Sequence, residues 1–328
     1  MGHSRWSDAA YQARQSHRRT TGTTAFTYDG HVRATGSVQV HDQMNPYGVT
    51  RESRDSDQHP ESTAIGVIFD VTGSMGSVPR VLQTKLGALM RVLIQRGYVT
   101  DPQVLFGAVG DAYCDAVPLQ IGQFESGMEM DDDLAKLYLE GGGGGQVFET
   151  YELALYFVAR HTSIDCYEKR GKKGYLFTIG DEKPYAVVRR AHLRRYIGDV
   201  VKRDIPVEQI VAEVQQRYEY FNILPTNTSH GRSSEVQARW RELLGERVLL
   251  LEDEAAVCET IALAIGLCEG TLDDLAGGAA DLHAAGSDGR AATAASTALS
   301  RFAAKRGPVT RLIAGLLPAA TARNDGRL

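Results

Sequence analysis

Three oxygen-bearing side chains at alternate positions, Asp70, Thr72 and Ser74, follow directly on the short apolar run of residues 65–69. A carboxylate and two hydroxyls grouped in this way are hard donors, suited to Mg²⁺ or a similar cation. The preceding Ile-Gly-Val-Ile-Phe has no polar alternation, which predicts a strand buried on both faces of a parallel sheet. Residues 78–96 then carry Leu82, Leu86, Leu89, Met90 and Leu93 at helical spacing. Gly73 and Gly76 allow the tight turn between the two elements. The donors thus sit where a strand hands over to a helix, at the carboxyl end of a sheet, where open α/β sheets bind ligands. A purely structural use of the same side chains is to cap the helix.

Two further stretches repeat this grammar. After the glycines of residues 141–145, Glu149 and Thr150 stand near the start of a helix-like run over residues 147–161. No Gly-Lys-Ser/Thr follows the glycines, so they do not read as a phosphate loop. The apolar run 175–179 ends at Gly180 and Asp181, followed by Glu182.

Residues 70–74 resemble the Asp-x-Ser-x-Ser signature of the von Willebrand factor type A (VWA) family, with Thr72 keeping the hydroxyl of the first serine. In that family these side chains form the metal-ion-dependent adhesion site, or MIDAS. The glycine-rich stretch resembles the second metal loop, usually Gly-Gly-Thr. Distance from the helix favours Glu149 as the counterpart of that Thr, and chemical identity favours Thr150. The third loop commonly reads strand-Thr-Asp-Gly, so Asp181 matches its Asp and Glu182 replaces its Gly. The resemblance covers residues 64–268. It implies a doubly wound, Rossmann-like, mostly parallel six-stranded sheet in the order 3-2-1-4-5-6, with one antiparallel edge strand and helices on both faces. It also implies one divalent cation, Mg²⁺ with Mn²⁺ or Ca²⁺ as alternatives, held by Asp70, Thr72, Ser74, Asp181 and either Glu149 or Thr150. In the family a partner's acidic side chain completes the coordination, so the expected role is a metal-dependent protein-interaction module, not an enzyme. Soluble bacterial relatives work with AAA+ ATPases of the MoxR kind, which makes an adaptor of this sort the implied setting.

The remaining chain supplies elements to position these loops. Residues 103–109 and 117–121 read as strands joined by so short a turn that they must be antiparallel. Asp111 and Asp115 in that turn are accounted for by turn chemistry. Residues 130–139 read as a short helix behind an acidic start. Residues 186–196, 207–218, 233–244 and 254–267 read as helices, and 220–224 and 247–251 as strands, the alternation of an α/β sheet. Residues 1–63 are polar, and runs at 25–28 and 37–41 predict a hairpin or an edge extension. The charged stretch 51–60 enters at the opposite end of the sheet and reads as a solvated or self-paired wrap. From 269 to 328 the chain is rich in Ala and Gly and reads as a largely flexible tail, with residues 311–317 as a short docking helix. His161 and His230 lack a metal-ligand pattern and read as surface or packing residues.

Composition narrows the function class. The chain has 328 residues and a net charge of −5, which argues against nucleic-acid and membrane-surface binding. No apolar run is long enough to span a bilayer, and the first residues lack the apolar core of a signal peptide. Cys114, Cys166, Cys258 and Cys268 form no C-x-x-C pair, as expected of reduced thiols in a cytoplasmic protein. Two rival functions share the strand-end Asp. A Mg²⁺-dependent phosphatase-like hydrolase would need a second Asp at position 72, where Thr stands. An RNA-binding ribonucleoprotein scaffold would want a basic, aromatic-interleaved stripe.

Overall fold

A computed structural model describes residues 4–75 (Ser74 by its backbone alone), 77–141, 147–228 and 230–306. In chain order it contains helices α1 (Asp8–Thr21) and α2 (Thr27–Thr35), strand β1 (Thr63–Asp70), helix α3 (Val78–Gln95) and strands β2 (Pro102–Val109) and β3 (Leu119–Glu125). Helices α4 (Glu129–Ala135) and α5 (Tyr151–Arg160) precede β4 (Gly174–Ile179), α6 (Val207–Arg217), β5 (Tyr218–Pro225), α7 (Ser234–Leu244) and β6 (Val248–Leu251). Helices α8 (Val257–Glu269), α9 (Leu275–Ala284) and α10 (Gly289–Arg306) close the described chain.

The architecture is α/β. Six strands form one sheet in the order β6-β5-β4-β1-β2-β3, all parallel except for the antiparallel β2–β3 pair. Every residue of β1 is buried, because β1 lies between β4 and β2 with helices against its side chains. Successive side chains of a strand point to opposite faces. Ile65, Val67 and Phe69 accordingly join one apolar cluster with α3, α8 and α10. Ala64 and Ile68 join another with α5, α6 and α7.

The flanks differ from expectation. The predicted N-terminal hairpin is absent: α1 and α2 occupy that region, each ending at a glycine with positive φ, Gly22 and Gly36. Tyr11 of α1 is buried against α3, where Gly87 leaves room for its ring; a Cβ there would lie 2.8 Å from two Tyr11 ring carbons. Buried Asp131 of α4 ties α1 down by pairing with Arg14 at 3.2 Å and Arg18 at 2.8 Å. Residues 51–53 form a short parallel ladder with Thr162–Ile164, outside the main sheet. The neighbouring charges pair with a different segment, Arg54 with Asp165 and Asp55 with Arg170.

Over residues 275–306 the tail expectation is corrected, because they form two helices. Ala291, Ala292, Ala295, Leu299 and Phe302 of α10 are buried in the main core, and α10 packs on α8 and β6. The apolar face of this helix is built mostly from alanine. Methyl groups let helices approach closely while giving little hydrophobic signal, and alanine is the strongest helix former. Residues 311–317 lie outside the described residues. Among the described residues, no helix is long and apolar enough to cross a membrane.

Candidate metal centre

Asp70 is the last residue of β1 and fully buried. One carboxylate oxygen, Oδ1, accepts from the Thr72 backbone N–H at 2.7 Å and the Thr72 hydroxyl at 2.6 Å. The other, Oδ2, is buried without a hydrogen-bond partner among the described residues. The Thr72 hydroxyl therefore orients Asp70. Ser74 lies in the short 3-10 turn Gly73–Met75, and its side chain is outside the described residues.

The second loop reaches the site through a two-residue parallel ladder, Phe148–Glu149 against Lys183–Pro184. The helix begins only at Tyr151, later than the sequence predicted. This ladder brings Glu149 to the third loop. Thr150 is directed elsewhere: its hydroxyl donates to the Gly110 carbonyl and accepts from the Ala112 N–H at 3.3 Å. It stitches the second loop to the β2–β3 turn, and among the described residues Glu149 is the second-loop side chain in the cluster. Asp111 and Asp115 are held inside that turn, as Asp115 Oδ2 accepts from the Asp111 N–H at 2.6 Å.

The third loop contributes both acids. Asp70, Glu149 and Glu182 each offer an oxygen within 4.8 Å of the other two, and all three residues are buried. A second group with the same separation joins Asp181, Glu182 and His230. His230 Nδ1 lies 3.2 Å from Glu182 Oε1, and its backbone N–H donates to Asp181 Oδ2 at 3.3 Å. Trp240 anchors the loop by donating its indole N–H to the Glu182 carbonyl at 2.8 Å. The Tyr151 ring packs edge-on against Trp240, and its hydroxyl is buried without a partner. Gly180 is obligatory here, since a Cβ would collide with that hydroxyl and lie 3.0 Å from Asp70 Cβ.

The electrostatics are those of carboxylates crowded out of water. Burial and then Glu182 hold Asp70 well above the usual carboxylate range. Burial, Asp70 and Glu182 push Glu149 up strongly, and burial also raises Glu182. Burial and the same acids raise the Tyr151 phenol. Besides Asp70 Oδ2, one oxygen each of Glu149 and Glu182 is buried without a partner among the described residues. Two ionised carboxylates about 4 Å apart repel by about 4 kcal/mol at an effective dielectric near 20. Such an arrangement needs a proton or a cation between its members. Oxygens opposite each other on a Ca²⁺ ion stand about 5 Å apart, and on Mg²⁺ about 4 Å, so the separations fit one shared hard cation.

Neither a family model nor a curated protein sequence matches the chain. Its fold is similar to that of the pilus adhesin SpaC from Lactobacillus rhamnosus GG in its open conformation, at 10% identity and a TM-score of 0.44, over 69% of this chain and 33% of the adhesin. A second form of SpaC aligns over the same shares at 9% identity and a TM-score of 0.41. Proximal thread matrix protein 1 from the mussel byssus aligns at 10% identity and a TM-score of 0.39, over 65% of this chain and 50% of that one. The chain thus spans about a third of the adhesin's length.

Three participants were not singled out from sequence as site residues. Glu182 follows Asp181 at a strand end, and a pair of acids after a buried strand was the available signal. Tyr151 and His230 carried none. His230 had been read as a surface or packing residue, but the loop after β5 folds it onto Glu182.

Proposed function

We propose that this chain is a VWA-like, doubly wound interaction module whose sheet end holds one divalent cation, Mg²⁺, Mn²⁺ or Ca²⁺, between its first, second and third loops. Asp70, Glu149 and Glu182 would be its direct donors, Thr72 would orient Asp70, and Asp181 and His230 would flank it. The cation would fix three separate loops in one arrangement and neutralise acids that otherwise repel. The observation that carries this reading is the meeting of three buried acids, each with an unpartnered oxygen, from three distant segments.

The donor set also alters how a partner would bind. Asp70, Glu149, Asp181 and Glu182 offer four carboxylates to two positive charges. A partner's carboxylate would enter an already acid-rich site, so partner contacts fall on the surrounding surface. An AAA+ ATPase of the MoxR kind is the partner class to try first in a binding assay.

The test is a melting experiment on chelator-stripped protein titrated with each cation. Cation at a hundred times its dissociation constant adds about 2.7 kcal/mol of stability, and Asp70→Asn should abolish that response. A wild-type protein whose melting is indifferent to all three ions would end the reading.

A further inference from the structure

Residues 189–203 carry Arg189, Arg190, Arg194, Arg195, Lys202 and Arg203 against one acid, Asp199, in a chain of net charge −5. All six cations are exposed. Arg189 pairs with Asp204 at 2.9 Å. Among the described residues, no acid lies within ion-pair distance of the other five. Asp199 is engaged by the Tyr156 hydroxyl at 2.6 Å and by His161.

The apolar surface gathers at the same place. Of the five large apolar side chains exposed among the described residues, Val200, 84% exposed, lies in this segment, and Val38, Tyr47 and Tyr113 border it. Val38, Tyr47 and Arg195 share a cavity of about 310 Å³, and Arg195 also borders a second of about 600 Å³ with Arg194 and Val200. Tyr113 is joined to the segment through its hydroxyl, which accepts from Arg189 Nε at 3.2 Å. Exposed Tyr and Arg beside apolar side chains make the composition of protein-interface anchors.

We infer that the surface around residues 189–203 docks an acidic segment of a protein partner that also carries apolar or aromatic side chains. The unpaired guanidinium groups recognise carboxylates through forked hydrogen bonds, and the two cavities take the apolar groups. Val38 and Val200 give a phosphate backbone nothing to contact, so a protein segment with apolar side chains fits better than RNA. A second copy related by two-fold symmetry would oppose like charges.

The proposal does not rest on the cation, and its test is run in chelator. A displayed random-peptide library is panned on the full-length chain, and one selected peptide is synthesised for affinity measurements. The expected result is enrichment of Asp and Glu together with aromatic or aliphatic residues. The expected affinity for the peptide falls about tenfold or more in the R194E/R195E variant and by a smaller factor in Val200→Ser. These side chains are exposed, and unchanged melting checks that each variant folds. Failure to enrich acidic peptides, or equal binding by the charge-reversed variant, overturns the inference. So does a mixed-sequence RNA oligonucleotide that binds through the same arginines more tightly than the selected peptide.

Discussion

Within Asp70 the two carboxylate oxygens have different tasks. Oδ1 accepts two hydrogen bonds from Thr72, while Oδ2 has no hydrogen-bond partner among the described residues. Glu149 is the most informative residue to change, because burial, Asp70 and Glu182 all raise its pKa. An acid whose pKa is raised on folding lends the metal-free protein its full stability below the unfolded value, near 4.3. That contribution is lost as pH rises from there towards the folded value. Glu149→Gln removes the linkage. At pH 7 the metal-free variant should be more stable than wild type by up to about 4 kcal/mol, the gain shrinking towards pH 4.3; denaturant melts across pH measure it. The same variant should lose most of its stabilisation by divalent cations. In wild type, cation binding should release protons and tighten as pH rises, because ligation requires the carboxylates. Calorimetry in buffers of different ionisation enthalpy reads that proton release. A Glu149→Gln protein less stable than wild type at pH 7 would mean that the cluster is a satisfied hydrogen-bond network.

At the scale of elements, the first core cluster depends on helices outside the region of family resemblance. Leu299 and Phe302 of α10 are buried beside Phe221 and Leu263, and the Phe302 ring meets Phe221 edge-on at 5.0 Å. Leu299→Ala should cost about 2–5 kcal/mol, measured by equilibrium denaturation. A loss below 0.5 kcal/mol would show that α10 does not seal the core in solution. Helix α1 is tied by a buried acid. Asp131→Ala takes away the acid that Arg14 and Arg18 share, while Arg14 keeps Asp132; with both arginines partly exposed it should cost about 1–3 kcal/mol. Recovery on adding Arg14→Met and Arg18→Met to Asp131→Ala would separate this charge effect from a cavity.

For the whole molecule, one apolar cluster runs along one face of the sheet from Tyr11 and Phe26 to Phe302. Its continuity predicts a single cooperative unit. Native-state hydrogen exchange should find the buried amides of α10 nearly as protected as those of α3. Early exchange of α10 as a block would make it a detachable appendage. The acidic cluster and the basic surface are joined by a run of ring contacts: Phe148, next to Glu149, stacks on Tyr185, Tyr185 tilts against Tyr113, and Tyr113 meets His192 edge-on.

The strands were legible from sequence because a run such as Ile65 to Phe69 can be buried on both faces in few other ways. Loop positions followed from those strands, since a chain leaving a buried strand emerges at the sheet edge. Asp70, Asp181 and the choice between Glu149 and Thr150 were readable on that ground. Which of that last pair faces the cluster was not, because neighbouring residues point in different directions and the two-residue ladder with Lys183–Pro184 sets the direction. Glu182 and His230 belong with it for the same reason: loops from distant segments meet only when the sheet is assembled. The sequence alone determined the layered sheet and the end at which its oxygen donors lie. Tertiary packing decided which oxygens share a centre, and turned an alanine-rich stretch into core, because close approach and burial exist only between elements already in contact.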